Sequence, residues 1–175
     1  MVVAREYRGM EKYAEAVAAY ERAVELQPLY LFLLVELGQL YQRMGQSKKS
    51  ADALLRYERR LYAAANEVTS SETAPVDRAN IIDAFSLIED DKVTMTLVAV
   101  LQKDDEPTLR ARAARALSEV RATSARAALK AASETDPADT VRVAAREAFA
   151  ALPDQDVPED TGAPTFVDDP SQLGK

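Results

Sequence analysis

The stretch DDEPTLRARAARAL, residues 104–117, has a counterpart in TDPADTVRVAAREAF, residues 135–149, with Asp136 standing 32 positions after Asp104. A divergent earlier copy, ETAPVDRANIIDAF, occupies 72–85. The step of 32 aligns Ala84, Ala116 and Ala148. It also aligns Phe85, Leu117 and Phe149, then Ile88, Val120 and Leu152, and Ile81, Ala113 and Ala145 one turn before. Arg78, Arg110 and Arg142 share one column, each six residues after an acid (Glu72, Asp104, Asp136), and Pro75 and Pro107 keep the same step. An acid and a proline followed by apolar residues three and four apart describe a turn entering an alanine-rich helix. Recurrence at a fixed step means stacked copies of one unit.

A second period lies upstream. Tyr7 and Met10 recur as Tyr41 and Met44, an offset of 34. Tyr13, Ala16, Tyr20 and Ala23 fall on one helical face, as do Leu34, Leu37, Leu40 and Tyr41. A longer helix over Ser47–Val68 carries Ala51, Leu54, Leu55, Leu61, Tyr62 and Ala65, expected as its buried stripe. ANEVTSSETAP then interrupts. Further helices are expected over about Lys92–Lys103 and Ser124–Ser133.

Composition narrows both fold and chemistry. With five glycines in 175 residues, and none between Gly45 and Gly162, a sheet rich in tight turns is excluded in favour of helix. Cysteine, histidine and tryptophan are absent, which removes disulfides, thiolate or imidazole metal sites and Cys or His catalysis. The longest apolar run, Leu29–Val35, is too short to span a bilayer, and the charged N-terminus has no apolar signal-peptide core. These features point to a cytoplasmic protein, with the periplasm open if a signal has been removed. The formal net charge is −7, of which residues 153–175 carry −5 together with four of the eight prolines. That composition marks an acidic, extended or disordered tail.

The upstream block resembles a tetratricopeptide repeat (TPR). Ala16, Tyr20, Ala23 and Pro28 match the family's second-helix set. Leu34, Leu37, Gly38, Tyr41 and the turn glycine Gly45 match the first helix of the next copy. The resemblance fades afterwards: Tyr57 stands where a small residue is expected and Tyr62 where proline is. The first hairpin would need residues before Met1, so the chain reads as a stump or a piece of a longer protein, with an apolar edge around Val2, Val3 and Tyr7. The downstream block resembles short bacterial HEAT-like repeats of the kind found in phycobilisome-lyase-like proteins. Together the resemblances imply an all-α, right-handed α-solenoid: TPR-like hairpins over 1–68, HEAT-like repeats over 69–152 and the tail over 153–175.

Candidate functional residues follow from this frame. The acid–arginine columns read as a ladder between hairpins, because three evenly spaced copies do not suit a single active site. Glu89-Asp90-Asp91 and Asp104-Asp105-Glu106 suit helix caps better than a metal or acid–base site. No catalytic residue, metal or cofactor is expected. By resemblance, the TPR groove presents Phe32, Val35, Glu36, Gln39, Gln42 and Arg43. The lysine–asparagine clamp of chaperone-tail-binding TPRs is missing among them, so an apolar or helical protein segment is the expected partner. Phe166, in an acidic setting, is a further docking candidate. Residues 109–130 hold six basic residues and one acid, so a nucleic-acid-binding module using Arg112, Arg115, Arg121 and Arg126 is an alternative. Contact of the acidic tail with that basic stretch is another. An accessory or lyase-like subunit acting on a protein–pigment complex rests on the HEAT resemblance alone. The reading adopted is a non-catalytic protein-binding scaffold.

Overall fold

The computed structural model describes residues 12–153. Among them the regular structure is helical: α1 (Tyr13–Leu26), α2 (Phe32–Arg43), α3 (Ser47–Val68), α4 (Pro75–Phe85), α5 (Asp91–Lys103), α6 (Pro107–Glu119), a 3₁₀ turn (Thr123–Ala125), α7 (Arg126–Thr135) and α8 (Asp139–Ala151). The sequence states most of these boundaries. Pro75 and Pro107 open α4 and α6, where a missing N–H costs nothing. The Asp90 carboxylate accepts the Lys92 and Val93 amides at 2.7 and 3.3 Å and so caps α5. Gly45, at φ +70°, ends α2; its N–H reaches the Gln42 carbonyl and that of Gln46 the Tyr41 carbonyl, a Schellman closure.

Consecutive helices pair as antiparallel hairpins and stack in two layers. In one layer α4, α6 and α8 follow each other; in the other, α3, α5 and α7. This is an all-α solenoid. Among the described residues two hydrophobic cores run through it. The first joins α1, α2 and the start of α3 through Ala16, Tyr20, Val24, Leu34, Leu37 and Ala53. The second and larger core runs from Leu61, Ala64, Ala65 and Val68 of α3 through Phe85, Leu97, Leu117 and Leu129 to Leu152. Helix α3 therefore belongs to both. The loop after residue 68 is a break in the chain's regular structure, whereas the change of core falls inside α3 near Tyr57, which touches both clusters.

Of the stripe expected on α3, Leu61 and Ala65 are buried and the other four members are not. Ser50, Ala53, Leu61, Ala64, Ala65 and Val68 face inward, while Ala51 is exposed and Leu54, Leu55 and Tyr62 keep 43%, 43% and 57% of their surface. The stripe is turned by roughly a quarter of the helix circumference. The reason is close approach: small side chains let α2, α4 and α5 come near, so Ser50, Ala53, Ala64 and Ala65 share the contact face with Leu61 and Val68. The outward apolar residues have local uses. Leu54 lies 3.3 Å from where a Cβ on Gly38 would be, which explains the glycine, and Tyr62 lies under the Lys92 ammonium at 5.3 Å.

Tyr57, the residue out of place in the TPR pattern, has a structural role. Its hydroxyl donates to the Asp90 carboxylate at 2.9 Å and ties the middle of α3 to the capped start of α5. Burial first, and this hydrogen bond second, raise its pKa well above the ordinary tyrosine value.

Candidate partner-binding surface

The acid–arginine columns form a ladder, and its rungs cross from one repeat to the next. Arg78 pairs with Asp104, and Arg110 pairs in two-pronged fashion with Asp136 at 2.8 and 2.9 Å, each across 26 residues. The acid six residues before each of the later two arginines supplies a backbone carbonyl instead. Arg110 donates to Asp104 O at 2.8 Å and Arg142 to Asp136 O at 2.7 Å. The side chains of Arg110 and Asp136 are only 8% and 7% exposed. The Arg110 hydrogen bonds hold the Asp136 carboxyl below the usual carboxylate range. In the divergent first copy the Arg78 Nε is buried with no hydrogen-bond partner.

The remaining basic residues of 109–130 lie in separate places. Arg112 reaches from α6 to Asp83 of α4 at 2.5 Å. Arg126 donates to the Leu152 and Pro153 carbonyls at 3.0 Å each and stacks on Phe149 with 4.4 Å to the ring centre. Arg121, at φ 51°, ends α6 and borders a cleft with Glu89, Asp90 and Asp91. Arg115 and Lys130 are exposed on α6 and α7. Among the described residues no three carboxylates come together in a way that could hold a metal ion.

The α2 groove is partly committed to the fold. Glu36 accepts the Tyr20 hydroxyl at 3.2 Å and so joins α1 to α2. Phe32 is half-buried against the first core, Val35 is half-buried, and Gln39, Gln42 and Arg43 are exposed. Phe166 lies outside the described residues, as do Val2, Val3, Tyr7 and Met10.

Next to this groove is a surface that the groove residues alone did not reveal. The turn between α1 and α2 lies beside α4, and a cavity of about 360 Å³ opens between them, lined by Gln27, Leu29, Tyr30, Asn80, Asp83, Ala84 and Leu87. Leu29, Tyr30 and Leu87 are 37%, 39% and 54% exposed, and Leu26, one turn back on α1, is 61% exposed. Two of the expected residues border this seam. Phe32 meets Tyr30 edge to face at 6.0 Å, and Arg112 reaches it through Asp83. The signal was present in the sequence. Leu29, Tyr30 and Leu31 follow Pro28 in a turn, where solvated polar residues are usual. Leu31 is buried and anchors the turn to the larger core, which holds Leu29 and Tyr30 at the surface.

Residues 64–150 match the family of HEAT repeats, and residues 1–28 match that of the tetratricopeptide repeat. The chain thus carries a tetratricopeptide repeat followed by HEAT repeats, and the HEAT match begins inside α3, where Ala64 enters the larger core. Both are in general protein-interaction scaffold modules, typically without catalysis. Neither a curated protein nor a solved structure matches the chain. Among the described residues no helix is long and apolar enough to cross a membrane.

Proposed function

We propose that this chain, a tetratricopeptide repeat joined to HEAT repeats, is a non-catalytic scaffold that holds a partner protein at the seam between the two repeat types. The observation carrying this reading is the group Leu29, Tyr30 and Leu87, partly exposed around one cavity. Apolar side chains that the fold leaves open beside a concavity are the usual anchors of a protein interface, and tyrosine is enriched among binding hot spots. The occupant that suits it is an apolar side chain from a helical or extended partner segment. The rim pair Asp83–Arg112 supplies polar orientation. Asp83, the charged residue lining the cavity, is paired with Arg112, which speaks for a protein ligand over a polyanion.

The test is affinity purification from the native host with the wild type, a Tyr30→Ser/Leu87→Glu variant and a Gln42→Ala/Arg43→Ala variant on the exposed part of α2. Both variants alter exposed positions and are expected to keep the wild-type melting temperature. Loss of a stoichiometric partner in the first variant alone supports the seam. Loss in the second alone moves the site to α2, and retention in both refutes the proposal.

A further inference from the structure

Among the described residues the ladder has no inter-repeat carboxylate at Arg142, and the sequence beyond them places an aspartate at the matching spacing. Arg110 and Arg142 are equivalent by the step of 32, and Arg142 makes the equivalent backbone contacts, to Asp136 O and Pro137 O at 2.7 and 3.2 Å. Where Arg110 closes on a buried carboxylate 26 residues ahead, the one carboxylate paired with Arg142 among the described residues is Asp139 of its own helix, at 3.0 Å. The Arg142 side chain is 33% exposed and that of Asp139 81%. Counting 26 residues on from Arg142 reaches Asp168. It opens Asp168-Asp169-Pro170, as Asp104 opens Asp104-Asp105-Glu106-Pro107 and Asp136 opens Asp136-Pro137. In both described copies that aspartate also folds its own turn. Its carboxylate accepts the amide two residues on, Glu106 N to Asp104 and Ala138 N to Asp136, each at 2.9 Å.

The outer face of α8 fits an acidic strand better than another helical hairpin. Ala111 and Ala114 of α6 are 5% and 0% exposed, with α8 packed on their helix. Their equivalents on α8 are Val143, 42% exposed, and Arg146, which is exposed and makes no ion pair among the described residues. An arginine in the place of a fully buried alanine keeps a further helix from approaching as closely, and it sets a second guanidinium one turn from Arg142. The intervening chain agrees. Pro158, Gly162 and Pro164 stand where the preceding repeat has Arg126, Lys130 and Ala132 of α7, and a glycine and an interior proline there disfavour an equivalent helix. Fifteen extended residues reach up to roughly 50 Å. The return along α8 from Ala151 to Arg142 is about 14 Å.

We infer that residues 165–170 dock in cis on the outer face of α8, with Asp168 taking the open ladder position at Arg142 and Asp169 facing Arg146. In this arrangement the segment supplies the acidic turn that follows α8 in the repeat pattern and brings Phe166 and Val167 beside Val143. Tethering makes this an intramolecular contact at high effective concentration, so a modest charge pairing suffices.

Because the chain has no cysteine, engineered thiols report on it without background. In the full-length protein, Val143→Cys with Val167→Cys is compared with a control pair, Ala63→Cys on exposed α3 with Val167→Cys. Docking predicts an intramolecular disulfide forming about tenfold faster in the first pair. Adding Asp168→Asn and Asp169→Asn, or raising the salt, slows it toward the control rate. Equal rates for the two pairs, indifference to the asparagine substitutions, or a disulfide-linked dimer whose yield rises with protein concentration would each overturn the inference.

Discussion

At the scale of single residues, charged and polar side chains carry much of the specificity of this solenoid. Arg110 and Asp136 are nearly buried and satisfy each other, so removing one partner leaves an unpaired charge. Asp136→Asn is expected to lower the unfolding free energy by about 3–5 kcal/mol, measured by urea titration. The sign with pH follows from the lowered carboxyl pKa. The folded state gives up this proton more readily than the unfolded one, so the contribution is complete above about pH 4 and is lost as pH falls through the folded value. The asparagine variant lacks that part of the acid transition. Tyr57 behaves oppositely. Its pKa is raised, so its contribution is complete below about pH 10 and is lost as the solution becomes more alkaline. Tyr57→Phe is expected to cost about 1.5 kcal/mol at neutral pH and to flatten the alkaline limb, because it removes the hydrogen bond to Asp90.

At the scale of elements, the same helix ending is built twice from different residues. Gly45 closes α2 with a positive φ at no steric cost. Arg121 closes α6 with φ 51° and an equivalent pair of hydrogen bonds, to the Ser118 and Leu117 carbonyls. A side chain in that conformation is strained by about 1 kcal/mol. Arg121→Gly is therefore expected to stabilise the protein by up to about 1 kcal/mol, read as a raised denaturation midpoint at unchanged slope. Helix positions were legible before the structure, because proline, aspartate and glycine punctuate the chain where helices start and stop. The face each helix buries was less legible. In α3, with two sets of neighbours, Ser50, Ala53 and Ala64 mark contacts alongside Leu61 and Ala65 while Leu54, Leu55 and Tyr62 point outward, so a search for bulky apolar stripes finds the contact face only in part.

At the scale of the whole molecule, the two cores of unequal size that the described residues form share one long helix. Stability in such a stack is a sum over neighbouring units, and the smaller unit opens first. Native-state hydrogen exchange is expected to show α1, α2 and the first half of α3 opening at lower free energy than α5 to α8, with the second half of α3 protected along with the larger core. Uniform protection across both cores would contradict that division. The same sharing gives the partner-binding seam its rigidity. Leu31 belongs to the larger core although it lies among TPR residues, so the turn bearing Leu29 and Tyr30 is held against the HEAT side.

The sequence by itself determined the repeat periods, the helical class, the acid–arginine columns and the exclusion of cysteine and histidine chemistry, because these depend only on which residues recur and at what spacing. The tertiary structure decided what spacing leaves open. It paired Arg78 and Arg110 with the acid of the next repeat, made Tyr57 the tie between the two repeat types, spread the basic stretch over separate places and left Leu29, Tyr30 and Leu87 around one cavity. Those outcomes depend on which helices meet. Side chains far apart in sequence become neighbours only once small residues have let the hairpins close on one another.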